Sequence, residues 1–348
     1  MTPLDIQRDV PLAPLTTLEL GGPAKHFVRV EDERTLSEAL RWAAEEGLSS
    51  VVLGGGSNVI VPDGGYDGLL IHMRIATAEF RNGGTVDAGA GVPWETVVDG
   101  AVSRGWAGLE CLTGIPGSTG ATPIQNVGAY GQEVAEVIAS VRVLRRDTLA
   151  FEELGSEDCA FGYRDSRFKR EPDRFIVCAV RFALRPDGPG TVRYAELERS
   201  IGGDPTLSQI RHTVLDLRRR KSMVIDPDDP NHRSAGSFFL NPIVAASEAD
   251  RVTEKAVREN LVGAPSEVPR YPVGDGQVKL SAGWLIENAG IAKGTRRGAF
   301  GVSTRHALAL VHHGGGTTAD LLSFSDEIRA RVRDQFGIAL EREPTVLR

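Results

Sequence analysis

Apolar residues recur at intervals of three and four in several segments, which predicts amphipathic helices. Thr35 with Glu38, and Thr206 with Gln209, have the spacing of a capping box, which marks the start of a helix. A glycine follows three of the segments and predicts the end of each helix. The predicted helices lie at 35–47, 93–105, 206–221, 247–260, 281–289 and 318–336.

Between the predicted helices, short runs of apolar and β-branched residues predict strands. Asn82 and Gly83 are a typical hairpin corner, and residues 17–24 predict an extended segment that ends in a Gly-Gly-Pro turn. The first helix should pack on the strand at 50–53, so the chain opens with a β-α-β unit. The other predicted strands lie at 59–61, 137–145 and 174–185.

The stretch from 110 to 131 organises the rest of the chain. It has almost no charge, and its many glycines and prolines fit neither a long helix nor an ordinary strand. Apolar residues among the glycines predict a buried loop, whereas a flexible linker would be polar. Backbone N–H groups of such a loop can approach a diphosphate closely, and Ser118, Thr119, Gln125 and Asn126 would add side-chain donors.

Two further glycine-rich loops follow apolar segments, at 54–58 and 89–91. The sequence Gly-Gly-Gly-Ser-Asn at 54–58 lacks the third glycine of a Rossmann fingerprint, and a strand rather than a helix is predicted after it. Phosphate would therefore be held by consecutive backbone amides in a loop between strands. We expect the loops at 54–58, 89–91 and 114–120 to converge on one elongated ligand.

Composition excludes several classes of protein. A chain of 348 residues with 41% hydrophobic residues can bury a full core. A net charge of −7 and a pI near 5.6 argue against a nucleic-acid or anionic-membrane surface. Three scattered cysteines, no leader pattern and no long apolar run predict a cytoplasmic protein with reduced thiols. The spacing of the histidines and carboxylates predicts no metal site.

The basic run Arg218 to Lys221 has two interpretations. It is typical of a helix C-terminus, where cations complement the macrodipole, and it also suits an anionic ligand. The turn-rich segment 226–233 that follows it predicts a domain boundary. Arg164, Ser237 and Glu343 each have an ordinary explanation when taken singly, and their spacing does not unite them.

Taken together, however, six stretches resemble the motifs of one family in their order along the chain. The family is that of UDP-N-acetylenolpyruvoylglucosamine reductase (UDP-N-acetylmuramate dehydrogenase, the MurB family, type I), the flavoenzymes of peptidoglycan precursor synthesis. The stretches are LGGGSNVIV (53–61), GAGVPW (89–94), TGIPGSTGATPIQNVGAYGQE (113–133), FGYRDSRFK (161–169), SAGSFFLNP (234–242) and EREP (341–344).

The resemblance implies an α+β fold of the vanillyl-alcohol-oxidase (PCMH) type. Two α+β subdomains that bind FAD would span 1–74 and 75–225, the first completed by about 338–348. A C-terminal α+β domain that binds the substrate would span 226–337. The same resemblance implies non-covalent FAD, since Ser57 and Asn58 stand where related oxidases often attach the flavin through His or Cys.

The resemblance also assigns roles to residues. Arg164 would stabilise an enolate through the substrate carboxylate region, Ser237 would donate a proton to the alpha carbon, and Glu343, chosen over Glu341, would assist. Tyr194, Lys221 and Asn241 would contact the UDP-sugar, which leaves Arg218 to Arg220 with the helix-terminus role. FAD would be bound by Gly54, Gly55, Gly56, Ser57, Asn58, Gly114, Ile115, Pro116, Gly117, Ser118, Gly120, Ala121, Gln125, Asn126, Gly128, Ala129 and Tyr130.

The implied reaction is the reduction of UDP-N-acetylglucosamine enolpyruvate to UDP-N-acetylmuramate, with hydride passing from the co-substrate NADPH through FAD. Arg305 and His306 stand where many relatives carry amides, and we assign them no role. Alternatives are a sugar or alcohol oxidase of the same superfamily and a non-catalytic protein that binds FAD or a UDP-sugar. We expect a monomer without nucleic-acid partners or membrane insertion.

Overall fold

The computed structural model describes residues 4–348. Residues 1–3, the start of the predicted first subdomain, lie outside the described residues. The chain forms two compact units. Unit one comprises 4–10, Pro23–Gly56 and Tyr66–Ile225, and unit two comprises Pro11–Gly22, Ser57–Gly65 and Asp226–Arg348. The finer division of 1–225 into two subdomains stays a prediction.

The helices follow the predicted apolar periodicity closely. The capping box of Thr206 and Gln209 is confirmed, since each side chain accepts a hydrogen bond from the backbone N–H of the other residue. The described helices are α1 Glu33–Glu45, α2 Trp94–Ser103, α3 Arg167–Arg170, α4 Ala195–Ser200, α5 Leu207–Arg220, α6 Ala246–Arg258, α7 Ala282–Asn288 and α8 Thr318–Phe336.

The capping box predicted from Thr35 and Glu38 is wrong. Helix α1 begins two residues earlier, because the Asp32 carboxylate accepts a hydrogen bond of 2.7 Å from the Thr35 backbone N–H. That N–H holds the pKa of the Asp32 carboxyl below its ordinary value. Glu38 pairs instead with Arg34, one helical turn before it.

The strands are short except near the centres of the sheets. They are β1 Gln7–Pro11, β2 Pro23–Val30, β3 Ser50–Leu53, β4 Val59–Ile60, β5 Tyr66–Met73, β6 Ala78–Arg81, β7 Thr85–Gly89, β8 Trp106–Ala107, β9 Gly128–Ala129, β10 Gln132–Glu133, β11 Ile138–Arg145, β12 Phe151–Gly155, β13 Phe175–Ala183, β14 Arg185–Pro186, β15 Ser234–Ser237, β16 Ile243–Ala245, β17 Arg270–Gly274, β18 Gln277–Leu280, β19 Arg296–Arg297, β20 Phe300–Val302, β21 Ala309–His312 and β22 Thr345–Val346.

The two larger sheets of unit one share a core with α1 and α2. The first has the order β1-β2-β5-β3, and its strands β2, β5 and β3 are parallel, which confirms the β-α-β opening. The strand before α1 is β2, however, and not the segment 17–24, whose first two residues lie in a turn. The second sheet is antiparallel, with the order β12-β11-β13-β7-β6, and the corner at 82–83 joins β6 to β7 as predicted.

Unit two packs helices on two small antiparallel sheets, β15-β21-β20-β19 and β16-β18-β17. Helix α8 buries Leu321, Phe324 and Ile328 in this core. The Asp63 carboxylate accepts hydrogen bonds from the first N–H groups of α8, which have no partner inside the helix. Near the C-terminus, β22 pairs in parallel with β4.

Two observations bear on the predicted class of protein. Cys111, Cys159 and Cys178 are free buried thiols, and burial raises the pKa of each to about 12. Such thiols are protonated and unreactive at neutral pH. From residue 4 to the C-terminus, no helix is both long and apolar enough to cross a membrane.

Candidate functional site

The first and third glycine-rich loops touch in unit one. A Cβ atom on Gly55 would lie 2.7 Å from the Cα atom of Gly117, and a Cβ atom on Gly54 would collide with the Ser118 hydroxyl. Only glycine permits this approach of two backbones. The loop that follows β3 is therefore pressed against the centre of the 110–131 stretch.

The second glycine-rich loop, at 89–91, and the residue after it are joined to the third loop through backbone hydrogen bonds. Thr119 N–H donates to the Val92 carbonyl at 2.8 Å, and Gly120 N–H donates to the Ala90 carbonyl at 3.0 Å. At the start of α2, the Glu95 carboxylate accepts from Gly114 N–H at 2.6 Å. The expected convergence of the glycine loops of unit one is confirmed, while their ligand stays a prediction at this point.

Two polar side chains of the 110–131 stretch are not satisfied by hydrogen bonds within the described residues. The Ser118 hydroxyl and the Gln125 side-chain oxygen are buried without a hydrogen-bond partner in the described part of the chain. Buried polar groups normally have partners, so the unpartnered Ser118 hydroxyl, which lies against Gly54, favours a bound polar ligand there. These residues fit the FAD that the sequence predicts. The other predicted FAD residues of unit one on these loops are Gly56, Ile115, Pro116, Ala121, Asn126, Gly128, Ala129 and Tyr130.

Arg164 is fixed against the end of the long loop. Its guanidinium donates to the Gly128 carbonyl at 2.5 Å and to the Asn126 carbonyl at 3.3 Å. The Asn126 amide in turn donates to Glu133 and to the Gly162 carbonyl, both at 2.9 Å. Arg164 and Asn126 both have positive φ angles. The predicted catalytic arginine and the predicted cofactor loop therefore form one hydrogen-bonded assembly.

A second cluster in unit one gathers Tyr130, Tyr194 and Lys221. The two tyrosine rings meet edge to face at 5.5 Å, and the Lys221 ammonium lies 5.7 Å from the centre of the Tyr130 ring. Lys221 also forms an ion pair with Glu196. Burial raises the pKa of Tyr130 to about 12, so its hydroxyl stays neutral at physiological pH. Tyr194 is 45% exposed, as suits a residue that meets a ligand.

Arg218 has a larger role than the sequence suggested. Its side chain is buried and donates to the Gly114 carbonyl at 3.1 Å and to the Met223 carbonyl at 2.6 Å. Burial lowers its pKa to about 10. Assigning Arg218 only to the helix macrodipole was incomplete. The sequence does carry a sign of this burial, because Arg218 continues the apolar stripe of α5 that includes Ile210 and Val214.

Unit two brings Ser237, Glu343 and Asn58 together. Glu343 N–H donates to the carbonyl of Phe238, the residue after Ser237, at 3.0 Å. The Asn58 side chain donates to the Glu343 carbonyl at 3.5 Å, and the Asn58 carbonyl accepts from Thr345 N–H. The C-terminal segment therefore runs beside both the predicted proton donor and the end of the first glycine-rich loop.

Ser237 lies at an irregular point of its sheet. Strands β15 and β21 shift register between Ser234 and Ser237, and Gly236 in this bulge has a φ of +72°. A β-bulge turns the following side chain away from the regular alternation and is common beside active sites. The substrate residue Asn241 lies further along, where its side-chain oxygen accepts from Ala282 N–H at 2.9 Å at the start of α7.

Comparison with known proteins defines the class first. Residues 24–149 match the family model of the FAD binding domain. A crystal structure of UDP-N-acetylenolpyruvylglucosamine reductase from Thermus caldophilus has a TM-score of 0.69 and 26% identity, and the match covers 99% of this chain and 100% of that one. The chain is an FAD-binding flavoprotein with the predicted α+β fold.

The family follows from the curated relatives. Residues 228–347 match the C-terminal domain model of UDP-N-acetylenolpyruvoylglucosamine reductase. Enzymes of that name from Streptomyces avermitilis and Thermobifida fusca are each 46% identical to this chain. The first match covers 97% of this chain and 94% of the relative, and the second covers 98% and 97%. The chain therefore belongs to the UDP-N-acetylenolpyruvoylglucosamine reductase family, as its motifs predicted.

Proposed function

We propose that this protein is an NADPH-dependent flavoenzyme that reduces UDP-N-acetylglucosamine enolpyruvate to UDP-N-acetylmuramate. The observation that carries the proposal is the position of the C-terminal segment of unit two. Glu343 N–H donates to the carbonyl of Phe238, the residue after Ser237, and Ser237 and Glu343 are 106 positions apart in the chain. A residue with a hydroxyl and a residue with a carboxylate, far apart in sequence, are thereby held on adjacent backbone segments, as a proton donor and its assistant require.

FAD bound by the glycine loops would supply the hydride chemistry, taking hydride from NADPH and passing it to the methylene carbon of the enolpyruvyl group. The loops of unit one support this role, since glycine backbone and the unpartnered Ser118 hydroxyl offer donors for a diphosphate or a flavin ring. The chain's own residues would then manage the charge and the proton of the substrate.

Arg164 would stabilise the negative charge that develops on the enolate. Its guanidinium is already oriented by two carbonyl oxygens, so little reorganisation is needed when the charge appears. Ser237 would donate the proton to the alpha carbon, with Glu343 as a charged or hydrogen-bonding partner. Tyr194, Lys221 and Asn241 would hold the UDP-sugar, and the cation of Lys221 suits a diphosphate.

The visible spectrum of the purified protein under nitrogen tests the proposal. NADPH should bleach the flavin band, and the enolpyruvate should restore it. In Ser237→Ala, we expect bleaching at the wild-type rate and recovery slowed by roughly 10²-fold to 10⁴-fold. Ser247→Ala, an exposed serine on α6, is the matched control and should behave as wild type.

Other outcomes contradict the proposal in distinct ways. Recovery of the band with oxygen alone, and not with the enolpyruvate, would make the protein an oxidase. Unchanged recovery in Ser237→Ala would remove Ser237 as the proton donor. A protein that binds FAD but is not reduced by NADPH would have no reductase activity, and the FAD-binding loops would then serve another purpose.

A further inference from the structure

Arg164 occupies a backbone conformation that arginine rarely adopts. It lies in a tight turn closed by two hydrogen bonds, from Gly162 N–H to the Asp165 carbonyl at 2.9 Å and from Asp165 N–H to the Gly162 carbonyl at 3.2 Å. Its φ is +51°, a region that glycine or asparagine usually occupies in such turns. A non-glycine residue persists there only when surrounding contacts hold it.

Lys169 supplies one of those contacts. Its ammonium donates to the Arg164 carbonyl at 2.7 Å. Lys169 is itself fixed by Ser166, whose hydroxyl accepts from Lys169 N–H at 3.2 Å and donates to the Ile124 carbonyl at 2.7 Å. A continuous set of hydrogen bonds therefore joins the long glycine-rich loop, the first turn of α3 and the backbone of Arg164.

The surroundings of Lys169 argue against an ordinary surface role. Its side chain is half-buried, and within residues 4–348 its ammonium forms no ion pair with a carboxylate. The neighbouring cations of α3, Arg167 and Arg170, each pair with an acidic side chain. Among these three cations of residues 4–348, Lys169 alone has no carboxylate partner, and its ammonium donates to the main-chain oxygen of the proposed catalytic residue.

We propose that Lys169 is a positioning residue for Arg164. Its ammonium holds the Arg164 peptide in the left-handed conformation, and the guanidinium then points towards Gly128 and Asn126. The inference rests on the proposed function, because Arg164 acts on the substrate only in the step that consumes the enolpyruvate. Loss of Lys169 should therefore affect that step and leave the reaction of the flavin with NADPH unchanged.

The test measures the two half-reactions separately by stopped-flow absorbance under nitrogen. In Lys169→Met, flavin reoxidation by the enolpyruvate should slow by about tenfold, the scale expected when a catalytic group is slightly misplaced, while reduction by NADPH stays within about twofold. Lys169→Arg, which keeps a cation, should recover part of the loss. Arg174→Met removes a charge from the same segment without touching the turn and should match wild type.

A double variant distinguishes positioning from a separate contribution. Since Lys169 acts through Arg164, adding Lys169→Met to Arg164→Ala should slow reoxidation no further than Arg164→Ala alone. The inference would be overturned if the double variant were slowed by the product of the two single effects. It would also be overturned if Lys169→Met slowed both half-reactions equally, or if it reoxidised at the wild-type rate. If Lys169→Met does not fold, Lys169→Gln takes its place in the same comparison.

Results that contradict the proposed function differ from results that contradict only the role of Lys169. Wild-type protein that is not reoxidised by the enolpyruvate contradicts the proposed reaction itself. Normal wild-type turnover with an unaffected Lys169→Met contradicts only the inference. Arg164→Ala with undiminished reoxidation would remove both the role of Arg164 and that of Lys169, while the Ser237→Ala result would still stand.

Discussion

The two units hold their proposed catalytic residues by different means. In unit one, Arg164 lies in an irregular turn, and side chains fix it by hydrogen bonds to carbonyl oxygens. In unit two, Ser237 lies on a strand and Glu343 beside it, and backbone hydrogen bonds fix both. A side-chain contact is lost with one substitution, whereas a backbone hydrogen bond survives nearly all of them.

This difference predicts where each region is vulnerable. Around Arg164, polar neighbours such as Asn126 and Lys169 should matter for the reaction. Around Ser237, most neighbouring side chains should be replaceable, and only changes that alter the backbone itself should slow the reaction. Neighbouring side chains orient the guanidinium of Arg164, and a strand orients the hydroxyl of Ser237. Both arrangements fix a polar group in place before the substrate binds.

The largest effect is expected at Gly236, the bulge residue before Ser237. With a φ of +72°, Gly236 has a conformation that alanine adopts only with strain. Gly236→Ala should shift the bulge and misplace the Ser237 hydroxyl, and a displacement of about 1 Å can slow a reaction about 10²-fold. We expect slow reoxidation by the enolpyruvate and normal reduction by NADPH, measured by flavin absorbance.

Gly64→Ala is the matched control in the same unit. A Cβ atom on Gly64 would meet open space, and its φ is not positive, so activity should be unchanged. Wild-type reoxidation in Gly236→Ala would show that the backbone of this strand does not aim Ser237. The contrast between the two regions would then lose its basis.

A smaller effect is expected at Asn126 in unit one. Its side chain accepts from Ala135 N–H at 3.2 Å and donates to Glu133 and to the Gly162 carbonyl, so it ties the long loop to the turn of Arg164. Asn126→Ala removes these bonds and places alanine at a φ of +43°. Reoxidation should slow by about tenfold, with a loss of stability of about 1–3 kcal/mol.

Asn231 provides the comparison in unit two. It is equally buried, and its side chain accepts from Thr304 N–H at 3.1 Å and donates to Asp229. Asn231→Ala should lower the melting temperature to a similar extent but leave reoxidation near the wild-type rate. If Asn231→Ala slows the reaction as much as Asn126→Ala, side chains matter equally in both regions.

The helices were largely predictable because their causes are local. Periodic apolar residues gave the extents of α5 and α8, and glycine-rich stretches marked the segments whose backbones meet. The cap of α1 was missed because two capping patterns overlap, and Asp32 accepts the Thr35 N–H that starts the helix. Local patterns compete, and the geometry of a single hydrogen bond decides between them.

The proposed catalytic constellation was not predictable from patterns. Ser237 and Glu343 are far apart in sequence, and only the resemblance to a family joined them before the fold did. Lys169 belonged to a recognised motif, yet no spacing rule indicates that its ammonium returns to the carbonyl of Arg164. Contacts of this kind depend on a positive φ and on long-range packing, neither of which leaves a periodic trace.

The smallest expected effect is a dependence of stability on pH that should be confined to unit one. His72 on β5 of unit one is buried beside Arg29 and Arg74, and burial, with a smaller contribution from these cations, lowers its pKa to about 4. The unfolded chain takes up this proton near pH 6.5 and the folded one only near pH 4. Because the unfolded state binds more protons in this window, stability should fall as the pH falls from about 6.5 to about 4.

Hydrogen exchange of individual peptides, corrected for the intrinsic rate at each pH, can localise this loss. In His72→Leu, the opening free energy of β5 should depend less steeply on pH, by up to about 1.4 kcal/mol per pH unit, the value for one proton. The amides of β21 in unit two serve as the internal reference and should be unaffected by the substitution. An unchanged slope in β5 would mean that His72 does not titrate between the two states, and a change in β21 would mean that the units do not respond separately.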